Sequence, residues 1–224
     1  MLKPLLLLHI FGAVIGLLSG FLAMMFRKGS GLHNAAGTVF FVSMMTMSTS
    51  AVYVATFLRP VMINVVAGLL TFYLVLTAWW TARRRQGGIG PFEIGAMLFV
   101  SMVALLGLVS GFQAANSPGG VKDTVPAPIY FVFGSVAVLF TISDVRNVMR
   151  GGATGAKRIA RHLWRMSLAL LIATLSFYPG QGRLFPAYIK KTNLLFLPHV
   201  LLIGAMLLWL VRVRGRRTTL RMAQ

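Results

Sequence analysis

The stretch from Val61 to Ala82, VMINVVAGLLTFYLVLTAWWTA, has no charged side chain, carries Trp79-Trp80 near its end and runs straight into Arg83-Arg84-Arg85. About 20 apolar residues in a helix cross the hydrocarbon core of a bilayer, tryptophan prefers the headgroup level, and clustered arginines stop at one face. Outward from this block the pattern recurs: Pro4 to Phe26, about His33 to Leu58, Ile94 to Gln113, Pro128 to Val145, His162 to Tyr178 and Leu194 to Val211. The reading is an all-α polytopic transmembrane helix bundle of about seven helices, residues 1–224 forming a single transmembrane domain. The first block also carries features of a cleaved leader, with Lys3 before a leucine run and small residues around Ser19-Gly20. Its apolar run is too long for a typical leader and its basic pair, Arg27-Lys28, lies at the far end, so it is expected to be a span.

Composition narrows the chemistry. Of 224 residues, 57% are hydrophobic and 11% charged, with a mean hydropathy of +0.80; an ordinary soluble domain is about 25% charged. Cysteine is absent, which excludes disulfides, iron–sulfur clusters, thiolate zinc and covalently attached haem. The acids are Glu93, Asp123 and Asp144, too few for a carboxylate metal cage or a glycosidase acid pair. Glu93 and Asp144 both fall near helix ends rich in arginine and are expected to pair there. No hydrolytic or transferase motif is present, and enzymatic activity is left open.

The net charge of +19 sits at helix ends, where it reports topology and attraction to anionic lipid rather than nucleic acid. With alternating helices, sixteen of the 22 Lys and Arg fall on one side and six on the other. The positive-inside rule then places the N-terminus outside and the C-terminus in the cytoplasm. Arg165, one turn inside the sixth block, is expected to snorkel to the surface. Trp79, Trp80, Trp164 and Trp209 read as interfacial anchors, and the thirteen methionines, Met44, Met45 and Met47 among them, as core fillers. The segment from Tyr178 to Tyr188 reads as an amphipathic loop resting on the headgroups.

Histidine is the residue with chemistry to offer, and there are four. His9 and His199 open the first and seventh blocks a few residues inside one face. His33 and His162 open the second and sixth at the other. Two pairs at matched depth, without thiolate or carboxylate, suit bis-histidine ligation of two b-type haems, one per leaflet. At 1.5 Å per residue the irons would be roughly 20 Å apart along the membrane normal. Lys28, Arg161 and Arg165 are candidate propionate partners near His33 and His162; Lys3, Lys190 and Lys191 are candidates near the other pair. Gly12, Gly16 and Gly20 line a stripe beside His9, and Gly37 follows His33 by one turn, so helix or macrocycle could approach closely. The alternatives are structural histidines in a non-redox membrane protein, such as a small-solute transporter or assembly factor, and a histidine site for a bare divalent metal, made less attractive by the missing carboxylates.

Leu8-His9-Ile10, Lys28-Gly29, His33 and Gly37, with Leu70 to Val75, Arg161 to Met166 and Ser176-Phe177, resemble a family of bacterial integral membrane proteins of unknown function. That likeness implies a multi-pass protein of the bacterial inner membrane. Leu8-His9-Ile10-Phe11 opening a glycine-bearing helix, a basic turn, then Leu32-His33 opening the next is similar to two consecutive helices of the cytochrome b561 family. That likeness implies haem ligation by His9 and His33. The expected function is transmembrane electron transfer through two haems, with quinone or a redox protein as partner and lipid around it.

Overall fold

The computed structural model describes residues 2–84, 86–177, 185–186 and 194–222. Among the described residues seven long helices make the fold: α1 (Leu2–Met25), α2 (Gly31–Tyr53), α3 (Met62–Arg83), α4 (Pro91–Ala115), α5 (Ala127–Met149), α6 (Gly155–Phe177) and α7 (Leu197–Met222). An all-α bundle is what the apolar blocks demand. Five of the helices, α1 to α5, are long and apolar enough to span a membrane, and Leu197–Val213 is a shorter apolar stretch. The chain is a multi-pass membrane protein. Its lipid-type surface is visible in exposed side chains such as Leu18, Leu98, Leu105 and Leu139, which no water-soluble bundle would display in such number.

Helix starts follow the local sequence. The Ser30 hydroxyl accepts the His33 amide N–H at 3.2 Å and caps α2. Pro91 opens α4, and the Glu93 carboxylate turns back to accept the Gly90 amide at 2.8 Å. A two-residue hairpin that the apolar pattern does not announce, β1 (Val121–Lys122) with β2 (Val125–Pro126), sits between α4 and α5. Its turn residues Asp123 and Thr124 have φ of 53° and 64°. From there the Asp123 carboxylate accepts the Met62 amide at 2.8 Å, so the hairpin caps α3 from afar.

The second block ends at Leu58 as expected, its last turn, Val54–Leu58, being π-helical. Two other boundaries differ from the sequence reading. The basic stretch expected as a loop up to Arg161 becomes the first turns of α6, which starts at Gly155. The last helix starts at Leu197, after a 3-10 turn over Leu194–Phe196, and continues through the basic tail to Met222. The expected loop from Tyr178 to Tyr188 lies outside the described residues, apart from Phe185 and Pro186.

α3 is the hub. It packs on α2 and α6 and holds the α4–α5 pair, and Val66, Leu70, Leu74, Val75 and Ala78 on it are fully buried. α6 also touches α1 and carries α7. Glycines set the closest approaches. A Cβ on Gly107 of α4 would meet the Gly134 Cα of α5 at 2.8 Å, and one on Gly12 of α1 would meet the Ser43 carbonyl of α2 at 3.1 Å. The Gly12, Gly16 and Gly20 stripe is therefore filled by α2 side chains and backbone, with Leu170 of α6 at Gly20. It leaves no slot there for a macrocycle.

Candidate functional site

Three histidines are held in one way. His9 Nδ1 donates to the Met47 carbonyl of α2 at 3.1 Å. His33 Nδ1 donates to the Ala23 carbonyl of α1 at 2.9 Å, and His162 Nδ1 to the Ala78 carbonyl of α3 at 3.0 Å. A carbonyl oxygen only accepts, so each ring carries a proton on Nδ1, and in a neutral imidazole so held Nε2 is the atom with the lone pair. That is the arrangement by which proteins orient a metal-ligating imidazole.

His33 and His162 lie toward the same end of the bundle, the one that carries Arg83, Arg84 and Arg161. His33, Lys28 and Arg158 all lie near enough to His162 for their charges to act on it. Lys28 Nζ donates to the Ala23 and Met24 carbonyls at 2.9 and 2.7 Å and sits 5.2 Å from the Trp209 ring of α7. It closes the end of α1, and half-burial pulls its pKa below the ordinary lysine value. Arg158, one turn before His162, donates to the Ala82 carbonyl at 2.6 Å, so α6 is stapled to α3 at two successive turns. A Cβ on Gly37, one turn beyond His33, would meet nothing within 4 Å, so there is room on that stripe. At the opposite end His9 turns onto α2, while His199 of α7 is buried, with its ring 5.9 Å from Phe196. Lys190 and Lys191 lie outside the described residues.

Arg161 and Arg165 do something the sequence reading did not foresee. Both donate to Asp144 Oδ1 of α5, Arg161 at 2.7 Å. Tyr73 of α3 donates its hydroxyl to Asp144 Oδ2 at 2.6 Å, and Arg165 also donates to the Thr77 hydroxyl. Arg165 does not snorkel: it is 0% exposed, with its guanidinium 5.0 Å from the Tyr73 ring and 5.4 Å from the Phe140 ring. Asp144 on the neighbouring α5 offers it a counter-charge at the same depth. Trp164, half-buried, stacks on Phe140 at 4.4 Å against the core. Trp79, by contrast, stacks on Phe41 and has the Arg83 guanidinium 4.1 Å above it. The expected pairing of the acids with arginine holds for both: Glu93 joins Arg84 at 2.6 Å, and Trp80 Nε1 donates to the same carboxylate oxygen at 2.9 Å.

Beside Asp144 a small cleft opens, with a volume of about 30 Å³. Thr77, Trp80 and Arg84 line it from α3, Phe92 and Glu93 from α4, and Asn147 from α5. Arg161 reaches it from α6, and His162 is the next residue along that helix. Among the described residues no three of His, Asp and Glu gather as a bare metal ion requires.

Compared against protein-family models, curated proteins and solved structures, the chain finds no match.

Proposed function

We propose that the chain is a b-type di-haem electron carrier of the membrane, with His33 and His162 as one axial pair and His9 and His199 as the other. The observation that carries the reading is the shared Nδ1-to-carbonyl bond of His9, His33 and His162, which leaves Nε2 of each ring as a ligand. Two imidazoles per site suffice for haem, whose macrocycle supplies the remaining equatorial donors, whereas a bare divalent ion would need more protein ligands than these sites offer. Bound haem would supply a one-electron couple at each face. The protein's part is to hold the rings: α1 and α2 clasp each other through His9 and His33, and α3 holds His162. Lys28 stands beside the His33–His162 pair as a cation for a propionate. Arg161 and Arg165, the other expected propionate partners, are engaged by Asp144 instead. With the basic end in the cytoplasm of a bacterial inner membrane, as the charge distribution implies, the two sites would relay electrons across the bilayer.

The test is the absorption spectrum of protein purified after expression with added haem precursor. Paired low-spin b-haem bands are expected, with His33→Ala and His162→Ala losing the same component and His9→Ala a second one. Colourless, folded protein would overturn the reading in favour of structural histidines.

A further inference from the structure

We propose that the small cleft beside Asp144 holds one monatomic anion, chloride, as counter-ion to the charges that join α5 and α6. Arg161 and Arg165 share a single carboxylate, Asp144; Arg165 is wholly buried and the Arg161 side chain is 12% exposed. Two guanidinium groups against one carboxylate leave a surplus of one positive charge inside the bundle. The chain has three acidic side chains, and neither of the other two cancels it. Glu93 is paired with Arg84, and Asp123 caps α3 at its opposite end. An unbalanced charge away from water is costly, and a guanidinium does not shed its proton, so the balance has to come from a bound ion. The cluster is short of acceptors as well: Arg165 Nε has no hydrogen-bond partner among the described residues.

The cleft lies where that ion is needed, since Asp144 and Arg161 border it together with Arg84, Glu93 and Asn147. Arg161 gives Nη2 to Asp144 and Arg84 gives Nη1 to Glu93, which leaves further N–H groups on both. The Asn147 side-chain amide has no partner among the described residues. Of the carboxylate oxygens at the cleft, each already carries a donor. Arg165 does not border the space, but through Asp144 it tips the surrounding charge to three guanidiniums against two carboxylates. Size selects among anions. A buried water takes up about 10–15 Å³, so about 30 Å³ admits a monatomic ion and excludes phosphate, sulfate or a lipid headgroup. Backbone shelters the outer side: the Gly88 amide donates to the Gly151 carbonyl at 3.0 Å, joining the α3–α4 and α5–α6 loops. A Cβ on Gly152 would meet Gly88 N at 2.8 Å, and one on Gly88 would meet Arg84 Nη2 at 3.3 Å, so the Arg84 guanidinium lies against this bridge.

The experiment compares the full chain in detergent in sodium chloride, sodium bromide, sodium gluconate and sodium sulfate at one ionic strength, reading the thermal midpoint and the line broadening of the chloride NMR signal. A bound ion stabilises the folded state by mass action, so the midpoint is expected to rise by several degrees from gluconate to chloride or bromide. Chloride broadening should be displaced by bromide and not by gluconate. Asn147→Asp puts a carboxylate in the cleft and cancels the surplus charge. It should lose that broadening and melt at one temperature in chloride and gluconate, no lower than wild type in gluconate. Asn34→Asp makes the same charge change on the exposed start of α2 and should keep both chloride effects. Circular dichroism and gel filtration show that the variants fold, and the wild-type comparison of salts decides by itself if Asn147→Asp does not. Equal wild-type midpoints in chloride and gluconate would mean that the cleft holds water only and would overturn the proposal. Chloride effects that survive Asn147→Asp, or sulfate stabilising as strongly as chloride through screening of the basic surface, would overturn it too. The outcome is the same with or without haem, so it is separate from the electron-carrier reading.

Discussion

Asp144 and Arg165 form an ion pair with 3% and 0% of their side chains exposed, joining α5 to α6 in the interior of an otherwise apolar bundle. Removing one partner of such a pair strands the other charge, which costs about 3–5 kcal/mol; replacing both by apolar groups of similar size is often close to neutral. Asp144→Leu is therefore expected to lower the unfolding midpoint in detergent sharply, and Asp144→Leu with Arg165→Met to recover most of it. Urea or thermal denaturation of the four proteins in a double-mutant cycle checks this. Additive losses would mean that the pair is not coupled.

The Tyr73 hydroxyl supplies the remaining donor to that carboxylate. Tyr73→Phe keeps the ring against Phe140 and removes one hydrogen bond to a charged acceptor, a loss of about 1.5–3 kcal/mol. The same denaturation assay should place it between wild type and Asp144→Leu.

Glycines on different faces should respond in opposite ways. Gly134→Val puts a side chain where the Leu108 amide lies 2.9 Å from the ideal Cβ position, and forcing α4 and α5 apart is expected to cost about 1–3 kcal/mol or more. Gly37→Ala meets nothing within 4 Å and should gain about 0.5–1 kcal/mol from helix propensity. Thermal midpoints of the two variants should move in opposite directions.

Asp123 holds two roles: its carboxylate caps α3, and its backbone has a positive φ. Asp123→Ala loses the cap and places a Cβ-bearing residue without a polar group in the left-handed region. About 1 kcal/mol of destabilisation follows. Asp123→Asn retains an acceptor and tolerates that φ, so it should lie near wild type.

Helix number and placement were legible because each span needs a long apolar run and little else, and the polar helix ends interrupt those runs. The π turn at Val54 and the small hairpin at Asp123 left no such mark. The first turns of α6 were misread because Lys157, Arg158 and Arg161 resemble a solvated loop. In the structure Arg158 is anchored on the Ala82 carbonyl and Arg161 on Asp144. The buried pair was readable in principle. Asp144 and Arg165 stand inside the fifth and sixth blocks, each close to the same end, with opposite charge at similar depth. The Nδ1 bonds of the histidines could not be foreseen, since main-chain carbonyls carry no residue identity.

The Asp144 clasp also has a consequence for the order of events at the ribosome. Its two cationic partners lie 17 and 21 residues further along the chain. The α4–α5 hairpin, already close-packed through Gly107 and Gly134, emerges carrying an acid whose counter-charges have not yet been translated. Until α6 is made, Tyr73 of α3 is the one partner of that acid already in the chain, so the arrival of α6 is the step that locks the hairpin onto the rest of the protein.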